Sequence, residues 1–216
     1  MKKSLLFLLL FVGLVFTGCS HPLRITNADT YFTPPTAALK EPIKVGITSG
    51  NSADPQTSRF VNSIIESLQK SGNIERAIYP YNQAIHREQI DLMIDINVVP
   101  HYSGEGLNFL VNWPGFLIFA PAIWGYGYNA EINTQVNITR LSDSSSKQIS
   151  IPTKFTFRQA EIDRTWTEVG WLEFGVIPLI GGIVFIQYDP DVTDEFIIKV
   201  SPYYGPYIAS KILEAL

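Results

Sequence analysis

The chain is poor in cysteine and in charge, and each shortage excludes a class of protein. One cysteine among 216 residues cannot form a disulfide within the chain, which excludes a disulfide-stabilised scaffold. Charged residues make up 17% of the sequence and the net charge is −4, whereas nucleic-acid-binding domains are usually basic. Hydrophobic residues make up 46%, too many for an intrinsically disordered chain. We therefore expect a folded domain that binds no nucleic acid.

The single cysteine closes an apolar segment near the start of the chain. Residues 1–3 are Met-Lys-Lys, and the run Leu5–Phe16 that follows is shorter than the roughly 20 residues of a transmembrane helix. A basic start, an apolar run and small residues are typical of a secretory signal. The Gly18-Cys19 pair resembles the bacterial lipobox. The resemblance implies cleavage after residue 18 and acylation of Cys19, and Ser20 in the next position implies sorting to the outer membrane.

The remaining chain divides at about residue 42. Residues 19–42 are rich in proline and threonine and have no apolar period, which predicts a tether between the lipidated cysteine and the domain. Residues 43–216 have a length suited to one domain. We predict a signal peptide over 1–18, a tether over 19–42 and a single periplasmic domain over 43–216.

Alternation of apolar and polar residues predicts strands at 43–48, 74–79, 91–99 and 126–140, the last returning as a long hairpin from Ile149 to Phe157. Asp54-Pro55 predicts the start of a helix. Its buried face consists of Phe60, Val61, Ile64, Ile65 and Leu68. Near the end, Phe196, Ile198 and Val200 predict a strand that Pro202 breaks, and residues 206–216 a closing helix. The pattern predicts an α+β fold in which two helices cover one face of a mostly antiparallel sheet.

The order of these elements resembles that of the small α/β domain shared by the N-terminal part of the Tol system's propeller protein and the curli-secretion lipoprotein. The stretch from Asn108 to Phe119 is also similar to one in uncharacterised proteobacterial lipoproteins. These resemblances imply an envelope lipoprotein, and fold alone does not determine function.

Two apolar insertions depart from this simple pattern. No charge occurs from Gly106 to Ala130 or from Phe174 to Tyr188. Neither is predicted to be a transmembrane helix, because the first contains two prolines and two asparagines, and the second is too short and is interrupted by Pro178 and Gly181-Gly182. Continuous apolar runs are commonly buried on both faces, so one interpretation is an extra core layer. The alternative is an exposed lobe that contacts membrane or a partner protein, because tryptophan favours the membrane interface. In that interpretation the contact residues are Trp113, Phe116, Phe119, Trp124, Trp171 and Phe185.

The sequence favours a non-enzymatic protein without metal or cofactor. Its three histidines lack the spacing of a metal site, and a lipidated Cys19 is not a nucleophile. Asp163 and Arg164, which flank Trp166, are interpreted as a structural ion-pair cluster. Our leading hypothesis is an adaptor in envelope assembly, secretion or maintenance, with a membrane anchor and a protein partner or self-association. The alternatives are an oligomeric secretion-pore component, and a binder of a small lipid or glycan in a pocket lined by Trp113, Trp124 and Trp171.

Overall fold

The predicted hairpin lies at the centre of the sheet. The computed structural model describes residues 22–32, 41–50, 53–112, 124–160 and 186–216. In this part of the chain the strands are β1 (Arg24–Ile25), β2 (Ile43–Thr48), β3 (Ile74–Ile78), β4 (Leu92–Gly104), β5 (Tyr126–Arg140) and β6 (Ser146–Gln159). The α-helices are α1 (Pro55–Lys70), α2 (Gln83–His86), α3 (Asn108–Asn112) and α4 (Thr193–Ala215). Short 3₁₀ turns lie at Ala28–Tyr31, Arg87–Gln89 and Pro190–Val192.

The strands form one sheet in the order β1-β6-β5-β4-β2-β3. β2 runs parallel to both β3 and β4. β4 and β5 are antiparallel, because Glu105 donates to the Gly127 carbonyl at one end and Leu141 to the Asp91 carbonyl at the other. β1 is antiparallel to β6, with Arg24 opposite Arg158. The predicted α+β class, with helices packed on a mostly antiparallel sheet, is confirmed.

The alternation that predicted the strands corresponds to burial. In β5 the even-numbered side chains from Tyr126 to Ile138 are buried, and between Asn129 and Thr139 the odd-numbered ones are half-buried or exposed. In β4 the even-numbered residues from Leu92 to Val98 are buried in the same way. A period of two places every second side chain on one face, so each strand contributes one apolar row to the core.

Helix α1 forms as its sequence predicts. The Asp54 carboxylate accepts a hydrogen bond from the Thr57 N–H at 2.8 Å, and Pro55 occupies the first helical position. The five predicted apolar residues are all buried, and Lys70 pairs with Glu66 at 2.7 Å on the exposed side. An amphipathic stripe with an N-cap is sufficient to define this helix locally.

Replacing Asp54 with alanine is expected to lower the free energy of unfolding by about 1 kcal/mol, because the cap is lost. Hydrogen bonds from the Thr57 side chain and backbone hold the pKa of Asp54 below its ordinary 3.8. The charge-dependent part of the cap is therefore present above that pH and lost as the pH falls through the lowered pKa. Urea unfolding of the wild type, Asp54→Ala and Asp54→Asn at neutral and acidic pH measures both effects. An asparagine side chain caps without charge, so a loss in Asp54→Asn as large as in Asp54→Ala would contradict this account.

The prediction of a strand at Phe196–Val200 is wrong. The segment belongs to α4, a 23-residue helix that contains both Pro202 and Pro206. Its buried face has helical spacing, and Ile198, the middle residue of the predicted strand, is 67% exposed. Tertiary contacts outweigh the prolines: the Tyr204 ring meets the Phe60 ring at 4.9 Å, and Ser63 Oγ donates to the Ser201 carbonyl at 3.0 Å.

Part of the segment predicted as a tether is built into the fold. Leu23 is 2% exposed, and Arg24 and Ile25 pair with the end of β6. Asn27 Nδ2 and Tyr31 Oη each donate to the Lys154 carbonyl, at 2.8 and 2.9 Å. The stretch is too short to show a period, and its partners lie about 130 residues further along the chain, so local sequence could not reveal the pairing.

Contacts divide the chain into two compact units. Of the described residues, unit 1 contains 22–26, 102–112, 124–129, 156–160 and 186–192, and unit 2 contains 27–32, 41–50, 53–101, 130–155 and 193–216. The core of unit 2 lies between the sheet and the helices α1 and α4, where Thr134 and Tyr204 share a buried hydrogen bond of 2.7 Å. That burial raises the pKa of the Tyr204 hydroxyl well above its usual range.

Candidate functional site

Only one of the predicted contact residues lies in the described part of the chain. Trp124 is there, and 55% of its surface is exposed. The other predicted site residues lie outside the described ranges, namely Cys19, Trp113, Phe116, Phe119, Trp171 and Phe185. The Asp163–Arg164 cluster lies outside them as well. The predicted contact site is therefore assessed from the surroundings of Trp124.

Trp124 precedes β5 at one end of the sheet, which we call the Trp124 end: residues 104–108, Trp124–Gly127 and Arg158. Gly125 between Trp124 and the strand has a φ of 68°, a conformation that glycine adopts without strain. Asn108 then holds the start of β5 in place. Its Oδ1 accepts from the Gly127 N–H at 2.7 Å, and its Nδ2 donates to the Gly127 carbonyl at 2.8 Å.

An ion pair crosses the same end of the sheet. Glu105, which directly follows β4, places its Oε2 3.3 Å from Nη2 of Arg158 in β6, on the other side of β5. The carboxylate crosses the strand above Gly127, where a Cβ atom would stand 2.6 Å from the Glu105 Cδ. Gly127 therefore serves two contacts: its missing side chain admits Glu105, and its backbone binds Asn108.

An aromatic cluster packs around residues 186–188. The ring of Tyr188 stacks on Tyr102 with centroids 4.8 Å apart, and meets Tyr128 edge-on at 5.4 Å. The Ile186 carbonyl lies directly against Gly104, where a side chain would collide with it. Among the described residues of unit 1, these aromatic rings pack against one another.

Leu107 is a candidate contact residue that sequence reasoning missed. It is 59% exposed and lies beside the buried Asn108, while Ile186, in the second apolar insertion, is 37% exposed. The described residues of the first insertion therefore do not all fit one interpretation. Tyr126 and Tyr128 are buried as the core-layer interpretation predicts, whereas Leu107 and Trp124 are exposed as the lobe interpretation predicts. An uncharged run gives no local signal for which of its residues face solvent.

Unit 2 carries an open groove of about 610 Å³ on the sheet face, lined in part by Tyr31, His101 and Asn133. Four of its polar side chains are bonded in pairs: Lys154 Nζ lies 2.7 Å from Glu131 Oε1, and Ser150 donates to Asn133 at 2.9 Å. The hydrogen bond between Glu131 and Lys154 lowers the pKa of the carboxyl and raises that of the amine. These groups satisfy each other and leave the groove a solvated surface.

Several other titratable groups in the described ranges have structural partners. His86 Nδ1 accepts from the Asn82 N–H at 3.1 Å. Asp194, in the first turn of α4, pairs with Arg59 at 3.0 Å, and Glu195 in the same turn pairs with Lys199 at 3.2 Å. Within the described ranges, no group of three or more acidic, histidine or cysteine side chains could hold a metal ion. In those same ranges, no helix combines the length and the apolar character needed to cross a membrane.

Comparison with known proteins finds no matching family model and no curated relative. Among solved structures, the chain is similar to the PelC dodecamer from Paraburkholderia phytofirmans, with 9% identity and a TM-score of 0.38 over 87% of this chain and 94% of that one. A variant of the same PelC is 12% identical with a TM-score of 0.34, over 88% of this chain and 99% of the variant.

A neuraminyllactose-binding hemagglutinin homolog from Helicobacter pylori is 12% identical, with a TM-score of 0.30 over 86% of this chain and 98% of that one. At these TM-scores, neither likeness bears on the function of this chain. The resemblance to envelope lipoproteins inferred from the sequence stays a prediction.

Proposed function

We propose that this chain is a lipid-anchored protein of the periplasmic face of the outer membrane, and that it acts as a non-enzymatic adaptor in envelope assembly, secretion or maintenance. The observation that carries the proposal is the Gly18-Cys19 pair at the end of an apolar run that is too short to span a bilayer. Several acyl chains together hold a protein firmly, where a single chain binds only marginally.

The packing of Leu23 supports an anchored role. The buried Leu23 lies four residues after Cys19, so a lipid on that cysteine would attach close to a packed element. An anchor at such a position would limit the domain's distance from the membrane as well as its location. This is the arrangement expected of a protein that works at the membrane surface.

Replacing Cys19 with alanine is expected to abolish fatty-acid incorporation and to release the protein from the membrane fraction. Growth with an alkyne fatty acid, followed by fluorophore coupling and fractionation, measures both effects. Ser20→Ala is the matched control, because it changes the neighbouring residue and leaves the thiol in place. Label retained in Cys19→Ala, or absent from the wild type, would contradict the anchor.

Crosslinking in cells followed by mass spectrometry tests the adaptor role. A defined envelope protein joined to the chain supports it. A regular ladder of self-crosslinked products would instead favour an oligomeric pore component. A lipid or glycan that co-purifies with an otherwise solitary chain would favour a carrier of that ligand. Either of the last two results would overturn the adaptor role while leaving the anchor intact.

A further inference from the structure

The chain enters the fold at the Trp124 end of the sheet. β1 runs antiparallel to β6 with Arg24 opposite Arg158, so the residues that precede Arg24 leave the sheet where β6 ends. Leu23 is buried there. Cys19 is only four residues earlier, which places its Cα within about 14 Å of the Leu23 Cα even if the chain is fully extended. A tether of 24 residues, as the sequence predicts, would impose no such limit.

Exposed apolar side chains occupy this same end. Leu107 and Trp124 flank the Asn108–Gly127 contact, and Ile186 lies against the end of β4 at Gly104. The Asn108 side chain makes two hydrogen bonds with the Gly127 backbone, and the Glu105 N–H donates to the Gly127 carbonyl at 2.9 Å. Together these bonds hold residues 105–108 against the start of β5. They fix the backbone next to Leu107 and at Gly127, three residues after Trp124.

We propose that the Trp124 end seats on the lipid surface beside the acylated cysteine, with Leu107 and Trp124 as its contact residues. The inference rests on the proposed anchor and adds an orientation: the end of β4 and the start of β5 face the membrane. Tryptophan and leucine gain free energy at the interface, and the exposed Arg24 next to the buried Leu23 carries a charge that lipid phosphates attract. The short connection to Cys19 supplies a high local concentration, so weak contacts suffice.

A lipid surface explains this placement better than a protein partner does. The site is defined by its closeness to the attachment point, and a membrane is the one surface that the anchor would always bring there. Of the exposed apolar side chains in unit 2, neither Ile85 nor Ile198 has a comparable link to Cys19. They are 66% and 67% exposed, which makes them matched controls.

Photocrosslinking on vesicles tests the orientation. The mature chain from Cys19 to Leu216 is coupled through its one thiol to a maleimide lipid in vesicles of phosphatidylethanolamine and phosphatidylglycerol. A benzophenone amino acid replaces Leu107, Trp124, Ile85 or Ile198 in separate preparations. After irradiation, mass spectrometry measures the lipid adducts. We expect several-fold more adduct at positions 107 and 124 than at 85 and 198.

Equal labelling at all four positions, or labelling at 107 or 124 that does not exceed both controls, would overturn the orientation. Chemical coupling supplies the anchor in this experiment, so its outcome does not depend on whether cells acylate Cys19. Failure of the fatty-acid labelling in cells would conversely overturn the anchor and leave the vesicle result standing. All four positions are exposed, and thermal unfolding of each labelled chain verifies that it is folded.

Discussion

Replacing Asn108 with alanine is expected to lower the free energy of unfolding by about 3 kcal/mol. The side chain is 1% exposed and makes two hydrogen bonds to the backbone of Gly127. The Gly127 carbonyl would keep its bond from the Glu105 N–H, but the Gly127 N–H would lose its side-chain acceptor inside the protein. A buried donor without a partner costs about 1–3 kcal/mol, and the lost second bond and the small cavity add to this.

Urea unfolding followed by fluorescence measures this loss, and Asn62→Ala is the control. Asn62 lies exposed on α1, so its replacement should change the free energy of unfolding by no more than about 0.5 kcal/mol. Hydrogen exchange at the Gly127 amide adds a local measurement, since its protection should fall in Asn108→Ala. A loss below about 1 kcal/mol, with Gly127 still protected, would show that the side chain does not hold the start of β5.

The same variant separates the frame from the contact surface. Asn108 does not itself face the lipid in the proposed orientation. Its bonds to Gly127 instead position the backbone that carries Leu107 and Trp124. Under conditions where the Asn108→Ala chain is still folded, we expect fewer lipid adducts at positions 107 and 124. The decrease should follow the loss of protection at Gly127.

Replacing Gly205 with alanine is expected to destabilise the protein by about 2 kcal/mol, although alanine favours a helix by nearly 1 kcal/mol over glycine. A Cβ at position 205 would stand 2.5 Å from the carbonyl oxygen of Ser63 and would also meet the Ser63 hydroxyl. A backbone oxygen within a packed helix cannot turn aside. The two long helices would have to separate, and the core between Phe60 and Tyr204 would open.

The decisive observation for Gly205→Ala is whether the free energy of unfolding rises or falls. Helix propensity alone predicts a gain in stability, and close helix packing predicts a loss. Gly50→Ala is the control, because nothing lies within 4 Å of a Cβ at that position. Equal or greater stability of Gly205→Ala in urea unfolding would mean that α1 and α4 do not approach as closely as described.

Local patterns predicted most of unit 2. The N-cap at Asp54, the stripe in α1 and the alternating rows of β4 and β5 are properties of neighbouring residues, and burial follows them directly. The C-terminal segment was mispredicted for an equally local reason. Phe196, Ile198 and Val200 alternate, and two prolines stand where a helix normally ends, so the contacts of α4 with α1 are visible only in three dimensions.

The candidate site was predicted less completely. Trp124 was selected because it lies in an uncharged run with other tryptophans, and the structure shows it exposed. Leu107 lies in the same run and carries no distinguishing feature in the sequence. It is exposed next to Asn108, whose buried side chain bonds to Gly127, 19 positions further along the chain. Composition identifies the segment that contains the site, and only the packing shows which of its residues are exposed.

By itself, the sequence determined the lipobox-like cysteine, the α+β class, the start and buried face of α1 and the buried rows of the central strands. Each of these depends on residues close together in the chain. The tertiary structure alone decided that α4 continues through Pro202 and Pro206. It also decided that Leu23 is buried while Arg24 and Ile25 join the sheet, and that Leu107 is exposed as Trp124 is. The physical reason is that these outcomes depend on contacts between residues far apart in the chain. The free energy gained from their packing and hydrogen bonds outweighs the local secondary-structure preference.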